Sequence, residues 1–292
     1  MKLGKSTVVF SLLALFSCGN KHTAENTIYT SFYTIYDFTK KIVGDKYQVE
    51  NLTPYGQEPH DYEPTAKQIA ERKDSPLLLL NGLGLDKWSD SLPKEYKSKA
   101  HLVTEGIETR NVNNTLDPHV WLSVKNAKKE RKNILDLVCE RDKENADYFK
   151  KNYDTAIAKF DKLDQDYQEK TAKLNNKYIV VSHAAFGYLC HDYGMTQIYV
   201  SGLEPDATPT AKDREKIINA VNTYHITTIF YEDAVGPDIA DAIKKETGVK
   251  TETLNPLEGL SKEEENTEDY ISVREDNLNK IVAADTEKKE NQ

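Results

Sequence analysis

A stretch without proline or glycine, residues 145–174, separates two halves of the chain that share one pattern. Apolar and aromatic residues recur in this stretch at spacings of three, four or seven, which predicts a single amphipathic helix about 45 Å long. In both halves, short runs rich in β-branched or aromatic residues alternate with helical stretches. Such alternation is typical of mainly parallel sheets covered by helices. The sequence therefore predicts an α/β fold of two βα lobes joined by one long helix.

The length of 292 residues suits two lobes of ordinary domain size. We predict the first lobe at 28–144, the linking helix at 145–174 and the second lobe at 175–292, with a tether at 18–27 before them. Within the first lobe, the segment DKWSDSLPKEY (86–96) predicts a helix. The formal net charge of −9 makes nucleic acid and anionic lipid headgroups poor partners for the body of the protein.

The first segment, 1–17, is typical of a secretory signal. Lys2 and Lys5 precede the uncharged run TVVFSLLALF, which is too short to span a bilayer as a mature helix. The small residue before Cys18 resembles a bacterial lipobox, which would make Cys18 the lipidated first residue of the mature chain; the alternative is an ordinary thiol. We expect an exported protein, anchored by lipid to the outer face of the cytoplasmic membrane or located in the periplasm.

Two further cysteines, Cys139 and Cys190, could form a disulfide in an exported protein. Cys139 closes a helical apolar patch, ILDLVC, whereas Cys190 belongs to the second half of the chain. We therefore expect two separate thiols. Neither has a CxxC partner, which argues against thiolate-metal chemistry.

Three histidines occupy equivalent loop positions, two of them after predicted strands and His119 just ahead of a predicted helix. His183 directly follows YIVVS, His60 lies in GQEPHDYEPT after the strand YQVENLT, and His119 lies in NTLDPHVWLS. Ligands of open α/β sheets bind outside the carboxyl ends of the strands. A single histidine of this kind is more often solvated, capping or hydrogen-bonded in a core than bound to a metal. Three in the same context favour a metal site.

Four ordered motifs carry a family resemblance: EPHDYEPT, DPHVWLS, VSHAAFGYL with the following SGLEPDATPT, and LNPLEGL. They are similar to the metal-site motifs of the periplasmic zinc-binding protein family (metal-binding cluster A-I), the solute-binding lipoproteins that supply zinc to ABC importers. The resemblance extends from about residue 28 to the C-terminal helix. It implies a metal site in the cleft between the lobes, with His60 and His119 from the first lobe and His183 and Glu258 from the second.

Three other acidic residues are candidates for a role at this site, either as the fourth ligand or beside the histidines. Glu204, in SGLEPDATPT, also follows a strand and is the alternative to Glu258 as fourth ligand. Asp117 and Asp61 are candidates for orienting the neighbouring imidazoles, although either could simply be exposed. Three imidazoles and one carboxylate suit Zn²⁺. Because manganese-binding relatives carry a carboxylate where His183 stands, the resemblance favours zinc over manganese.

The function implied by the resemblance is an extracytoplasmic, monomeric, high-affinity receptor that captures Zn²⁺ and delivers it to an ABC permease, and not an enzyme. The alternatives are a manganese or broad-specificity receptor, an exported zinc hydrolase, and an adhesin. Against a hydrolase, the sequence has no HExxH, no nucleophile elbow and no glycine-rich phosphate loop. In contrast to many zinc-specific relatives, 61–118 contains a single histidine, His101, and so no histidine-rich loop.

Overall fold

The structure is a computed structural model that describes residues 26–205, 210–232 and 238–290. The predicted signal peptide, 1–17, and the predicted lipidation site, Cys18, lie outside the described residues. Within the described part of the chain, no helix is long and apolar enough to cross a membrane.

Strands and helices alternate through the first half, followed by two long helices. The elements in chain order are β1 (Thr27–Thr30), α1 (Tyr33–Val43), β2 (Gln48–Asn51), α2 (Ala66–Glu71), β3 (Leu78–Leu80), α3 (Lys94–Lys97), β4 (Ala100–Leu102), β5 (Asn111–Val112), β6 (Thr115–Leu116), α4 (Val124–Arg141) and α5 (Ala146–Ala172).

The second half repeats the alternation and closes with a helix. Its elements are β7 (Tyr178–Val181), α6 (Gly187–Asp192), β8 (Thr196–Tyr199), α7 (Ala211–Tyr224), β9 (Thr228–Tyr231), α8 (Asp238–Thr247), β10 (Lys250–Thr253) and α9 (Tyr270–Glu290). The predicted α/β fold with mainly parallel sheets is confirmed.

Each lobe is built on a four-stranded sheet in which all neighbouring strands are parallel. The orders are β2-β1-β3-β4 in the first lobe and β10-β9-β7-β8 in the second, so both lobes place their strands in the order second, first, third, fourth. In such a sheet the second strand lies on one side of the first strand and the third strand lies on the other, so the strand order reverses beside the first strand. A crevice therefore forms at the carboxyl ends of β1 and β3 in the first lobe and of β7 and β9 in the second.

Helix α5 connects the lobes and packs against both. Its 27 residues span about 40 Å. Near its start, Asn152 Nδ2 donates a hydrogen bond of 3.0 Å to the Ile42 carbonyl of α1. Near its end, the Tyr167 hydroxyl donates one of 2.8 Å to the Arg274 carbonyl of α9, and the Tyr167 ring stacks on Tyr193 with centroids 4.9 Å apart. The helix therefore fixes one lobe against the other.

The largest apolar core is continuous across the two lobes. It contains Ile28 and Leu79 from the first sheet, Leu163 from α5, and Val181 and Leu189 from the second lobe. A smaller cluster of buried residues lies on the other face of the second sheet. Because the main core is shared, the lobes are held together by burial of apolar surface and not by α5 alone.

Two local expectations met different outcomes. The helix predicted over 86–96 is wrong: a 3₁₀ turn at Lys87–Ser91 is followed by the single-turn α3. Leu92 has an extended ψ of 138°, as expected for a residue before proline, and Pro93 has no N–H to continue a helix.

Cys139 and Cys190 are free thiols, as expected. The lobe boundaries at 28–144 and 175–292 stay predictions.

The linking helix generates a stability prediction. Leu163 of α5 is fully buried in the shared core, so Leu163→Ala should lower the free energy of unfolding by about 2–5 kcal/mol through lost burial and a residual cavity. Lys151→Ala, at an exposed position of the same helix, should change it by less than about 0.5 kcal/mol. Urea denaturation followed by circular dichroism measures both. Equal losses would contradict the packing described for α5.

Candidate metal centre

Four residues predicted from the sequence as ligands converge in the cleft. One donor atom from each of His60, His119, His183 and Glu258 lies within 4.8 Å of the other three. His119 and His183 are fully buried, Glu258 is 4% exposed and the His60 side chain is 2% exposed. The cluster is therefore shielded from solvent on nearly all sides.

Three of these side chains lie in loops that follow strands of the two parallel sheets, whereas His119 follows β6 of the short antiparallel pair. His60 lies in the loop between β2 and α2, and His119 precedes a 3₁₀ turn at Val120–Leu122 that leads into α4. His183 comes two residues after the end of β7, and Glu258 lies in the loop after β10. The loops at the carboxyl ends of β2, β7 and β10, together with the loop after β6, thus supply the cluster from both lobes.

The imidazole of His119 is oriented by Asp117. Asp117 Oδ1 accepts hydrogen bonds from the His119 backbone N–H at 3.0 Å and from Nδ1–H at 2.7 Å. A carboxylate can only accept, so Nδ1 carries the proton and the neutral ring presents the Nε2 lone pair to the cleft. The loop itself is held by Asn81 Nδ2, which donates to the Pro118 carbonyl at 3.0 Å.

The imidazole of His183 is oriented in the same way from the second lobe. Its Nδ1–H donates to Glu232 Oε1, which also accepts the Ser182 hydroxyl at 2.7 Å. Glu232 is 2% exposed and directly follows β9, the strand next to β7. Nε2 of His183 is therefore left free to bind an ion in the cleft.

The spacing of the donor atoms matches a tetrahedral site. His119 Nε2 lies 3.1 Å from His60 Nε2, 3.2 Å from His183 Nε2 and 3.0 Å from Glu258 Oε1. Glu258 Oε1 lies 3.5 Å from His60 Nε2 and 3.6 Å from His183 Nε2. Zinc bonds of about 2.0–2.1 Å at tetrahedral angles require donor atoms about 3.3 Å apart. The five separations fall around this value.

The cluster as a whole attracts positive charge. Burial disfavours protonation of His119 and His183, yet hydrogen bonds and charges from Asp117, Glu232 and Glu258 outweigh burial and raise the pKa of both imidazoles. Burial also opposes ionisation of Glu258, but the same imidazoles hold its pKa well below the usual range. Neither Glu258 oxygen accepts a regular hydrogen bond. A buried carboxylate in this state needs a cation partner.

The loop that carries Glu258 is tied to the first lobe. The Trp121 indole N–H donates to the Pro256 carbonyl at 2.7 Å, and the Thr34 hydroxyl donates to the Leu257 carbonyl at 2.7 Å. Leu257 adopts a left-handed φ of 60°, a costly conformation for a residue with a branched side chain. These cross-lobe bonds fix the backbone on the N-terminal side of Glu258.

Two other predicted candidates lie outside the cluster. Glu204 has a half-exposed side chain, with Oε2 3.8 Å from His60 Nδ1 and Oε1 3.3 Å from Lys87 Nζ. Asp61 is exposed beside His60. The structure thus brings together Glu258 with the three histidines and places Glu204 at the margin of the site.

Two acids that border the cluster, Glu232 and Glu58, are not among the residues predicted from the sequence. Glu232 had the signal required, because it is the first polar residue after the strand in ITTIFYED and stands at the crevice of its sheet. Glu58, two residues before His60, lines a cavity of about 180 Å³ together with Glu232 and Glu258. Burial and the Glu258 charge raise the pKa of Glu58 to about 9.

Comparison with known proteins is consistent with this geometry. Residues 28–284 match the family described as zinc-uptake complex component A, periplasmic, abbreviated ZnuA. The chain belongs to this family. ZnuA of Bacillus subtilis, named as a high-affinity zinc uptake system protein, is 35% identical over 305 residues, covering 95% of this chain and 96% of that protein.

A second relative and its solved domain extend the comparison. The zinc-binding lipoprotein AdcA of Streptococcus pneumoniae is 36% identical over 94% of this chain, which spans 59% of AdcA. The crystal structure of the Zn(II)-bound ZnuA-like domain of that protein superposes with a TM-score of 0.79 at 36% identity, covering 89% of this chain and 98% of that domain. These relatives are zinc uptake or zinc-binding proteins and not enzymes.

The contacts of Glu232 generate a prediction. Glu232→Gln keeps the side-chain size but replaces the acceptor of the His183 Nδ1–H by a neutral amide, so the dissociation constant for Zn²⁺ should rise roughly 10- to 100-fold. Glu204→Gln is the matched control at a half-exposed position, and its effect should be below threefold. Competition with a fluorescent chelator measures both. A larger loss in Glu204→Gln would reverse the choice between Glu258 and Glu204.

Proposed function

We propose that the protein binds Zn²⁺ outside the cytoplasm through His60, His119, His183 and Glu258 and delivers it to an ABC permease. The observation that carries the proposal is the convergence of three imidazole nitrogens and one carboxylate oxygen at tetrahedral spacing. Membership of the ZnuA family supports the same function. Zinc is the cargo of this site and not a catalytic cofactor.

The composition of the site supports zinc over manganese. Mn²⁺ has the lowest intrinsic affinity of the divalent series and prefers oxygen donors, whereas imidazole suits Zn²⁺. Three of the four proposed donors are nitrogen atoms, and His183 is the one that a carboxylate would replace in an oxygen-rich site. The selectivity therefore depends most directly on His183.

The closure of the site supports binding and transfer over hydrolysis. A catalytic zinc keeps a coordination position for water or substrate. Here Glu258 Oε1 takes the fourth position at 3.0 Å from His119 Nε2, and the donors are buried. An ion held by all four groups has no position left for a reacting water.

The proposal extends to the placement of the protein in the cell. Lipid attachment at Cys18, after removal of 1–17, would hold a monomeric receptor at the outer face of the cytoplasmic membrane. The loss of Lys2 and Lys5 with 1–17 changes the net charge from −9 to −11, so the acidic body would remain clear of anionic headgroups while the anchor keeps it beside the permease.

Binding is tested with the purified full-length chain equilibrated with equimolar Zn²⁺ and Mn²⁺. Metal analysis should find about one zinc per chain and little manganese, because the four donors form a single nitrogen-rich site. In His183→Ala the zinc content should fall below half, since the ion loses one of its four donors. Equal zinc content in the two proteins would overturn the assignment.

Delivery is tested in the cell that carries the gene. Deleting the gene should lower zinc accumulation from a zinc-limited medium, and the parent chain should restore it. His183→Ala, expressed to the same level on the same membrane, should not, because an unloaded receptor has no ion to transfer. Normal zinc accumulation in the deletion strain, or restoration by His183→Ala, would argue against import through this site.

A further inference from the structure

Gly187 is the first residue of α6 and lies beside Asp117, the residue that orients His119. Its backbone angles, φ −60° and ψ −46°, are those of an ordinary right-handed helix. Any residue can adopt this conformation, and glycine is a poorer helix former than alanine. The backbone of α6 therefore does not require glycine at this position.

The surroundings of Gly187 do require it. A Cβ atom at this position would lie 2.9 Å from Asp117 Oδ2 and 3.1 Å from Gln197 Nε2. Both separations are shorter than ordinary van der Waals contact, and Asp117 is fully buried. The absent side chain of Gly187 thus provides the space that the Asp117 carboxylate occupies.

The carboxylate has few other restraints. Asp117 Oδ1 accepts two hydrogen bonds, both from His119, whereas the buried Oδ2 accepts none. The backbone near it is held to α6 itself, because the Tyr188 hydroxyl donates to the Asp117 carbonyl at 3.0 Å. Asp117 therefore cannot retreat from α6 as a unit, and a methyl group at residue 187 would have to rotate its carboxylate.

A rotation of the carboxylate would reach the metal centre through His119. The two oxygens belong to one rigid plane, so displacing Oδ2 moves Oδ1, and the Nδ1–H that donates to Oδ1 at 2.7 Å follows it. The imidazole then tilts. Its Nε2 lies 3.0–3.2 Å from the proposed donor atoms of His60, His183 and Glu258, so a tilt of this ring changes three donor separations at once.

We infer that Gly187 is a positioning residue of the zinc site: a backbone surface of the second lobe sets the orientation of a ligand from the first. This inference rests on the proposed function, since it concerns the affinity of the same site. Helix α6 contributes no donor atom to the cluster. Its role is to leave the Asp117 carboxylate enough space to hold His119 in line with the other donors.

The test compares two glycine-to-alanine variants of the full-length chain. Gly202 is the matched control, because a Cβ there would meet no atom within 4 Å and its φ is not in the left-handed region. Competition with a chelator should show the dissociation constant for Zn²⁺ raised at least fivefold in Gly187→Ala and less than twofold in Gly202→Ala. The visible absorption of bound Co²⁺ should lose intensity in Gly187→Ala alone, since the site departs from tetrahedral geometry.

A double-mutant cycle separates positioning from a general packing defect. In an Asp117→Ala background the carboxylate is gone, so adding Gly187→Ala should weaken zinc binding by less than twofold. If Gly187→Ala alone does not fold, the double variant should, because the closer contact, with Asp117 Oδ2, has been removed and the end of the Gln197 side chain is free to turn away. The inference would be overturned if the double variant did not fold, or if adding Gly187→Ala weakened zinc binding as much in the Asp117→Ala background as in the parent chain. Equal zinc affinities of Gly187→Ala and Gly202→Ala would overturn it as well. Absence of zinc binding by the parent chain would instead overturn the proposed function.

Discussion

The central constraint on the structure is a buried cluster of four electron-pair donors that lie within 4.8 Å of one another, five of their six separations being 3.0–3.6 Å. Lone pairs and a carboxylate in this arrangement repel each other unless a positive charge lies among them. Folding must therefore supply the restraint. Asp117 and Glu232 supply it locally, because each fixes one imidazole through Nδ1 and directs Nε2 into the cleft.

The two sheets and the shared core also restrain the positions of the donor atoms. Two sheets of the same strand order present their carboxyl ends to one another, and a continuous apolar core with α5 across it prevents these ends from separating freely. The energy that assembles the donors thus comes from apolar burial remote from them. A fold of this kind binds an ion by prior arrangement of its ligands, so little ordering remains to be completed when the ion arrives.

The sequence predicts what is periodic or local. Alternating apolar runs indicate the two βα lobes, and three histidines in equivalent loop contexts indicate the ligands His60, His119 and His183. Glu232 could also have been identified, as the first polar residue after its strand, but the imidazole that it orients depends on the pairing of β9 with β7. The role of Gly187 is not predictable from local sequence, because it depends on a carboxylate 70 residues away in the chain. The helix predicted over 86–96 is wrong for a local reason: Pro93 interrupts it, although the apolar spacing of the segment is helical.

The loop before Glu258 is held from both sides of the cleft. Trp121 and Thr34 of the first lobe donate to the Pro256 and Leu257 carbonyls, and the Asn255 N–H donates to Asn277 Oδ1 of α9 at 3.0 Å. His183 is held on the second lobe by Glu232, which also accepts the Ser182 hydroxyl. Any opening of the cleft would therefore have to break hydrogen bonds of the Glu258 loop, so the contacts that hold this carboxylate in place also resist separation of the lobes.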